Sequence, residues 1–409
     1  YGAVWIGGSN IYGQLGDDFD LGGGNYGFRD WLCKLTESVG DTKFIDVAVG
    51  SAHTLLLDED GCIWSSGCNE KGQLGRPDAH NLFKLAENWY LDANPRFEKV
   101  TEGIGNTKFV KVFACGYNSA AIDENGKLWI AGFLGTDTFT QVPELIDEKI
   151  ATVAFNYDAI IAITESGKAF AKGENYYKKL GFPLPEGEKT SMIEKFTRME
   201  EVPDDVKFVD AACRNSFSAL LDENGNVWTA GNNYTGCLGR PDGYHDDAAF
   251  PFGQSFAKIT EGIEDVRIVD LAASGNIGTA LTLLDEDGRL WTTGGHKSTV
   301  PVCTYPEEGK PKTVSVVATL YILAPLCVDE NGHYRMPGGM TEFKLGVSVL
   351  PEEIKNFKIN SDTEFVFRSK ERKKISLFYD LQDGQWADGY TAPDFYCDGD
   401  EYIPPEADK

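Results

Sequence analysis

Asp58-Glu59-Asp60-Gly61-Cys62-Ile63-Trp64-Ser65-Ser66-Gly67 decides the fold of this chain, because its frame recurs along the sequence. The frame is a glycine, an aromatic residue three places on and a second glycine six places on. It reads Gly2-Trp5-Gly8, Gly61-Trp64-Gly67, Gly126-Trp129-Gly132, Gly167-Phe170-Gly173, Gly225-Trp228-Gly231 and Gly288-Trp291-Gly294. A seventh copy, Gly332 to Gly338, has Arg335 at the aromatic position and Tyr334 one place early. Before the leading glycine stands Asp60, Asn125, Ser166, Asn224, Asp287 or Asn331, mostly the Asp-Gly and Asn-Gly pairs of a two-residue hairpin with positive φ. Gly61, Gly126, Gly225 and Gly288 are therefore read as structural turn positions, and Trp64, Trp129, Trp228 and Trp291 as structural anchors on the strand that follows.

Upstream of each turn lie two short β-rich runs, such as Phe44-Ile45-Asp46-Val47-Ala48-Val49 and His53-Thr54-Leu55-Leu56-Leu57. They read as the first and second strands, with the Trp-bearing segment third. A fourth is expected near Phe97-Glu98-Lys99-Val100 and Phe256-Ala257-Lys258-Ile259. The frame inside each copy is fixed while one connection per copy varies in length, which puts the variable loops on one face. Four short strands per repeat, with no helical periodicity between them, define an all-β fold, a seven-bladed β-propeller whose closure protects its sheet edges. The first blade is expected to be closed by both chain termini. Gly2 to Trp5 would supply its third strand, and Phe365-Val366-Phe367-Arg368 and Ile375-Ser376-Leu377-Phe378-Tyr379 its first and second. Gly384-Gln385-Trp386 competes for the third slot, but only the N-terminal copy continues to Gly8 and Asn10. The propeller occupies 1–389, and 390–409 form an acidic, aromatic C-terminal tail expected to be disordered.

The balance of charge narrows the partners. The formal net charge is −26, with 64 acidic against 38 basic residues, which opposes direct nucleic-acid binding because phosphate contacts need clustered Lys and Arg. No long uncharged apolar run spans a membrane and no signal peptide is visible. The nine cysteines, scattered at repeat-like places such as Phe113-Ala114-Cys115, read as reduced thiols of an intracellular protein, cytoplasmic or nuclear. Their spacing fits no zinc module, so no metal and no cofactor is expected.

After the second glycine, several copies continue as Asn10…Gly13-Gln14-Leu15-Gly16, Asn69…Gly72-Gln73-Leu74-Gly75 and Asn233…Gly236-Cys237-Leu238-Gly239. Together with Gly50-Ser51-Ala52-His53-Thr54, this pattern resembles the repeat of the regulator of chromosome condensation family, over essentially residues 1–389. The resemblance implies a propeller acting as a protein-interaction surface. The family's founding members exchange guanine nucleotide on the small GTPase Ran while docking on chromatin. Two features depart from them. The chain is acidic and opens directly in a strand, without a basic arm, and Gly132-Phe133-Leu134-Gly135-Thr136-Asp137 passes quickly into Gln141-Val142-Pro143, leaving no room for the exchange wedge of the third blade.

Leu74-Gly75-Arg76-Pro77-Asp78 recurs as Leu238-Gly239-Arg240-Pro241-Asp242, each time opening a long aromatic connection. Arg76, Asp78, Trp89, Tyr90, Arg240, Asp242 and Tyr244 are the candidate partner-binding residues, since arginine beside aromatics is the chemistry of interface hot spots. As turn caps, the same arginines would serve the fold instead. Asp17 and Asp18 are candidates for facing a basic partner, and His53, on an apolar strand, is expected to fix its blade structurally. No nucleophile elbow or phosphate loop appears. The leading expectation is a monomeric, non-enzymatic scaffold that binds another protein through loops on one face. The alternatives are a guanine-nucleotide exchange factor for a Ran-like small GTPase and a proteinaceous enzyme inhibitor.

Overall fold

The computed structural model describes residues 3–17, 28–36, 38–79, 82–86, 89–241, 253–274, 280–295, 298–305, 312–317, 326–329, 334–335, 354–359, 365–369, 396–398 and 401–403. It is a β-propeller. Phe44–Val49, His53–Asp58, Ile63–Gly67 and Asn94–Lys99 form one antiparallel sheet in that spatial order. The same order repeats in the sheets that begin at Phe109, Ile150, Phe208 and Ile268. Thr313–Val317, Leu326–Asp329 and Tyr334–Arg335 form a three-stranded sheet. The last sheet runs Ile354–Ile359, Phe365–Ser369, Ala3–Ser9, Phe28–Lys34. The fourth strands thus lie where the sequence placed them in the first and fourth of these sheets, at Asn94–Lys99 and Gln254–Lys258.

The last sheet mixes the two ends of the chain, but not with the strands expected. Phe365–Ser369 pairs with Ala3–Ser9 as the second strand rather than the first, and Ile354–Ile359 takes the inner place. Ile354, Phe357 and Ile359 supply an apolar strand upstream that the frame did not mark, whereas 375–379 and 384–386 lie outside the described residues. Within 390–409, Tyr396–Asp398 and Glu401–Ile403 form a hairpin, and its second strand lies against Phe28–Lys34.

Second strands carry the core. His53–Asp58, Asn118–Asp123, Ala159–Thr164, Phe217–Asp222 and Ala280–Asp285 are buried along their whole length, because a neighbouring sheet covers each face. Leu55 and Leu57 pack toward Phe109, Val112 and Ala121 of the next sheet, while Leu56 joins Val4, Ile6 and Val47 on the other side. Each such side chain is worth roughly 1.5–3 kcal/mol on burial. First strands pack on one another around the axis, as Phe44–Val49 does on Phe109–Cys115, and Ile354–Ile359 does on Phe44–Val49.

One carboxylate organises each hairpin. Asp58 Oδ1 accepts from the Asp60 and Cys62 N–H groups at 3.1 and 2.7 Å, and Oδ2 accepts from Trp64 Nε1 at 2.9 Å. Asp123, Asp222 and Asp285 repeat this set, holding Trp129, Trp228 and Trp291 at 3.0, 3.0 and 2.9 Å. The turn glycines take the positive φ that the sequence requires, with Gly126 at 78° and Gly225 at 83°. The indole then meets the first-strand phenyl edge-on, Phe109 with Trp129 at 5.8 Å and 83°. In the Ile150 sheet Phe170 stands for Trp and Thr164 for Asp; with no indole N–H to hold, Thr164 Oγ1 accepts from the Lys168 N–H at 2.9 Å and bonds Ser166 Oγ at 2.9 Å.

Burial pushes the Asp58 carboxyl up, but hydrogen bonds from Trp64 and Cys62, with Lys99 beside it, outweigh that and hold it below its ordinary range. The pairing predicts coupling: Asp123→Ala and Trp129→Phe should each cost about 2 kcal/mol in urea unfolding. The double variant Asp123→Thr with Trp129→Phe, copying Thr164 and Phe170, should lose at least about 1 kcal/mol less than the sum of its single changes. Simple additivity would show that the carboxylate and indole act separately.

Candidate functional site

Chain direction fixes two faces. Asp58 to Cys62 turns the second strand into the third at one end of the blade, the hairpin face. Gly50 to Ala52 and the long connection after Gly67 lie at the opposite end, the loop face, since His53 pairs with Gly67.

On the loop face, the residues expected to bind a partner mostly hold the blade together. Asn69 clasps its loop by accepting from Leu74 N–H at 2.9 Å and donating to the Arg76 carbonyl at 2.8 Å, and Asn175 and Asn233 do the same for theirs. The clasped loop docks on the next sheet: a Cβ on Gly75 would stand 2.3 Å from the Phe139 ring. Arg76 then turns inward. Its Nε donates to Ser65 Oγ at 3.0 Å and Nη2 to the Ser65 carbonyl at 3.1 Å, while Nη1 pairs with Glu98. Arg240, 6% exposed, makes the equivalent bonds to Thr229 and reaches the Ser255 carbonyl at 3.2 Å. Both arginines staple the third strand to its loop and to the fourth strand, which corrects their expected place at a partner contact.

Asp17 is corrected likewise. It is buried and accepts from Asn10 Nδ2 at 2.9 Å, completing the first clasp instead of facing solvent. Asp78 is exposed. Trp89 and Tyr90 open the strand Trp89–Asp92, which pairs with Leu82–Ala86 in a ribbon within the long connection. Asp18, Asp242 and Tyr244 lie outside the described residues.

His53 joins two sheets. Ser119 Oγ donates to the Gln73 carbonyl at 2.6 Å, so at 2.9 Å it accepts from His53, which fixes the proton on Nε2. Nδ1 is buried with no partner among the described residues, and desolvation lowers the imidazole pKa from 6.5 to about 3. Gly50 is obligatory beside it, because a Cβ there would sit 2.3 Å from Nδ1.

The hairpin face carries a feature absent from the sequence reading. In each of six sheets the first strand has a bulge at which the register skips its second residue: Ile45, Val110, Ala151, Val209, Val269 and Val314. The five large ones are 37%, 54%, 47%, 48% and 56% exposed, an unusual cost for β-branched residues. The bulge re-aims the next residue into the neighbouring sheet, where Asp46 Oδ2 accepts from the Val112 N–H at 3.1 Å and Asp270 Oδ2 from the Val316 N–H at 3.3 Å. Around this aliphatic ring, exposed Lys43, Lys108, Lys149, Lys207, Arg267 and Lys312 each precede a first strand. Hairpin glutamates oppose them, with Lys43–Glu59, Lys207–Glu223 and Arg267–Glu286 at 3.7, 3.8 and 3.9 Å. The collar is nearly neutral, so its distinctive element is the apolar ring.

This architecture is a repeat propeller with two chemically distinct faces. The family model of the regulator of chromosome condensation (RCC1) repeat matches residues 44–73 and 60–122, so the chain carries repeats of that type. It is 28% identical over 316 residues to human E3 ubiquitin-protein ligase HERC2, covering 72% of this chain and 6% of HERC2. It is 25% identical over 331 residues to the guanine nucleotide exchange factor SRM1 of Saccharomyces cerevisiae, covering 68% of this chain and 64% of SRM1. The chain therefore spans less than two thirds of either relative. Yeast RCC1 (Prp20), in its crystal structure with Kap60, is similar in fold with a TM-score of 0.67 at 18% identity, over 90% of this chain and 89% of that one.

Two outcomes follow for the loop face. Arg240→Met should cost about 1.5–3 kcal/mol in chemical unfolding by leaving buried carbonyls unpaired, while Asp78→Ala stays within about 0.5 kcal/mol. Above pH 6.5 His53 is neutral folded and unfolded alike; as pH falls from 6.5 toward 3 the unfolded chain takes a proton that the folded chain refuses, so stability is lost. The loss should reach about 2 kcal/mol by pH 5 in urea titrations, and His53→Asn, copying Asn118, should flatten that slope.

Proposed function

We propose that this protein is a non-enzymatic interaction propeller whose hairpin face receives another protein. The observation that carries the reading is the ring of Ile45, Val110, Val209, Val269 and Val314, exposed at one repeat position by a bulge in each first strand. Held in water these side chains add nothing to the packing, and a rigid ring of apolar contacts inside a charged collar has the anatomy of a binding surface. This moves the docking face away from the variable loops, whose arginines are committed to the fold. The net charge of −26 favours a protein partner over nucleic acid. The buried thiols of Cys68 and Cys213, outside any disulfide, support a reducing, intracellular setting.

Guanine-nucleotide exchange on a Ran-like small GTPase is the second reading, favoured by the likeness to SRM1. Against it stands the connection 133–139, where the Gly132 N–H bonds the Thr136 carbonyl at 2.8 Å and the chain returns at once to Thr140–Gln141. Exchange would need another loop as its wedge. Nucleotide-release assays on a panel of small GTPases separate the readings, since acceleration by catalytic amounts of this protein would favour exchange.

For the scaffold reading, Val209→Asp with Val269→Asp should reduce binding of a partner recovered by affinity capture at least about tenfold, with thermal unfolding unchanged. Undiminished binding by the double variant would remove the hairpin face from consideration.

A further inference from the structure

A cation with no carboxylate acting on it among the described residues sits where the first strands reach the loop face. Arg214 follows the first strand Phe208–Cys213, and its N–H closes the turn to the Phe217 carbonyl at 2.8 Å. The side chain is more than nine-tenths buried, at 8% exposure, and Nε donates at 2.8 Å to the Ala273 carbonyl on the first strand of the next sheet. Among the described residues, the ionisable groups near enough to act on the guanidinium are Cys115, Cys213 and Tyr157, which come from three different sheets around the axis. None is a carboxylate. Burial raises both thiols above their ordinary value, so they stay protonated and supply no counter-charge.

The neighbouring lysine has what Arg214 lacks. Fully buried Lys179 places Nζ 2.7 Å from Asp158 Oδ1 and donates to the Asn215 carbonyl at 3.1 Å, so these two charges answer each other. Arg214, in a chain of −26, is left as a net positive charge among the described residues. A buried charge without a partner is expensive, and a guanidinium retains a planar fork of N–H donors after Nε is used. One sheet earlier, Asn156 holds the equivalent turn position, bonding the Ala159 carbonyl through its own N–H at 3.0 Å, and its buried Nδ2 has no partner among the described residues. Asn215, the next residue of the Arg214 turn, is exposed, and the Asp158 side chain is 38% exposed, so the place borders solvent.

We propose that Arg214, beside Asn156 and Tyr157, forms an anion site at the loop-face end of the propeller axis that takes a carboxylate or phosphate group. The fork geometry of guanidinium suits two oxygens of either anion. The inference is independent of the hairpin-face reading, because it concerns the opposite end of the blades.

Thermal unfolding of the full chain, with inorganic phosphate or acetate replacing chloride at matched ionic strength, tests it. The wild-type midpoint should rise saturably by roughly 1–3 °C with at least one anion, and the anion that saturates identifies the chemistry. Arg214→Met should show no saturable rise and should melt in chloride no lower than wild type, since it removes an uncompensated charge. Arg214→Lys should keep part of the response. The proposal is overturned by an equal rise in Arg214→Met, by no saturable rise with either anion, or by a lower chloride midpoint for Arg214→Met, which would make Arg214 a staple to Ala273.

Discussion

The hairpin carboxylate is the interaction on which the rest of the propeller depends. Asp58, Asp123, Asp222 and Asp285 each neutralise the free N–H groups of a tight turn and fix an indole N–H with the other oxygen. Because the turn and the third strand are tied to one side chain, the Trp ring has one orientation. It then stands at a near-right angle to the first-strand phenyl. The substitution of Thr164 for Asp where Phe170 replaces Trp shows the two positions answering to one another.

Joints between sheets rest on a second set of constraints. The Asn-clasped loops place glycines where no Cβ fits, Gly72 over Asp137 and Gly75 over Phe139, so that backbone meets the neighbouring sheet directly. At the opposite end the bulge carboxylates Asp46 and Asp270 reach across to backbone N–H groups of the following sheet. Between these polar joints lie apolar clusters that each draw on two successive sheets. A change at one blade is therefore felt by its neighbour, which is why Arg240 and His53, both inside such joints, are expected to move stability.

The proposed binding sites lie at what the joints leave over. On the hairpin face the bulge that frees Asp46 to bridge sheets also turns Ile45 into solvent, so the exposed aliphatic ring is a by-product of ring assembly that a partner can use. On the loop face Arg214 occupies the position that glycine fills at Gly50, where the space is taken by His53. Phe217 stands in the second strand opposite Gly231 just as His53 stands opposite Gly67.

By itself the sequence determined the blade. The spacing of Gly61, Trp64 and Gly67 specifies a hairpin and a strand period, and these are local properties of φ, side-chain alternation and turn chemistry. The Asp three residues before the leading glycine was available as a signal too, since it accompanies Trp and gives way to Thr with Phe. What only the tertiary structure decided was the fate of polar and apolar side chains at the sheet junctions. Arg76, Arg240 and Asp17 look like surface charges in sequence, yet the partners that bury them are reached only when strand, loop and following strand fold together. Val209 and Val269 look like core residues of a β run, and only the bulge, a two-strand register that no single strand encodes, puts them in water.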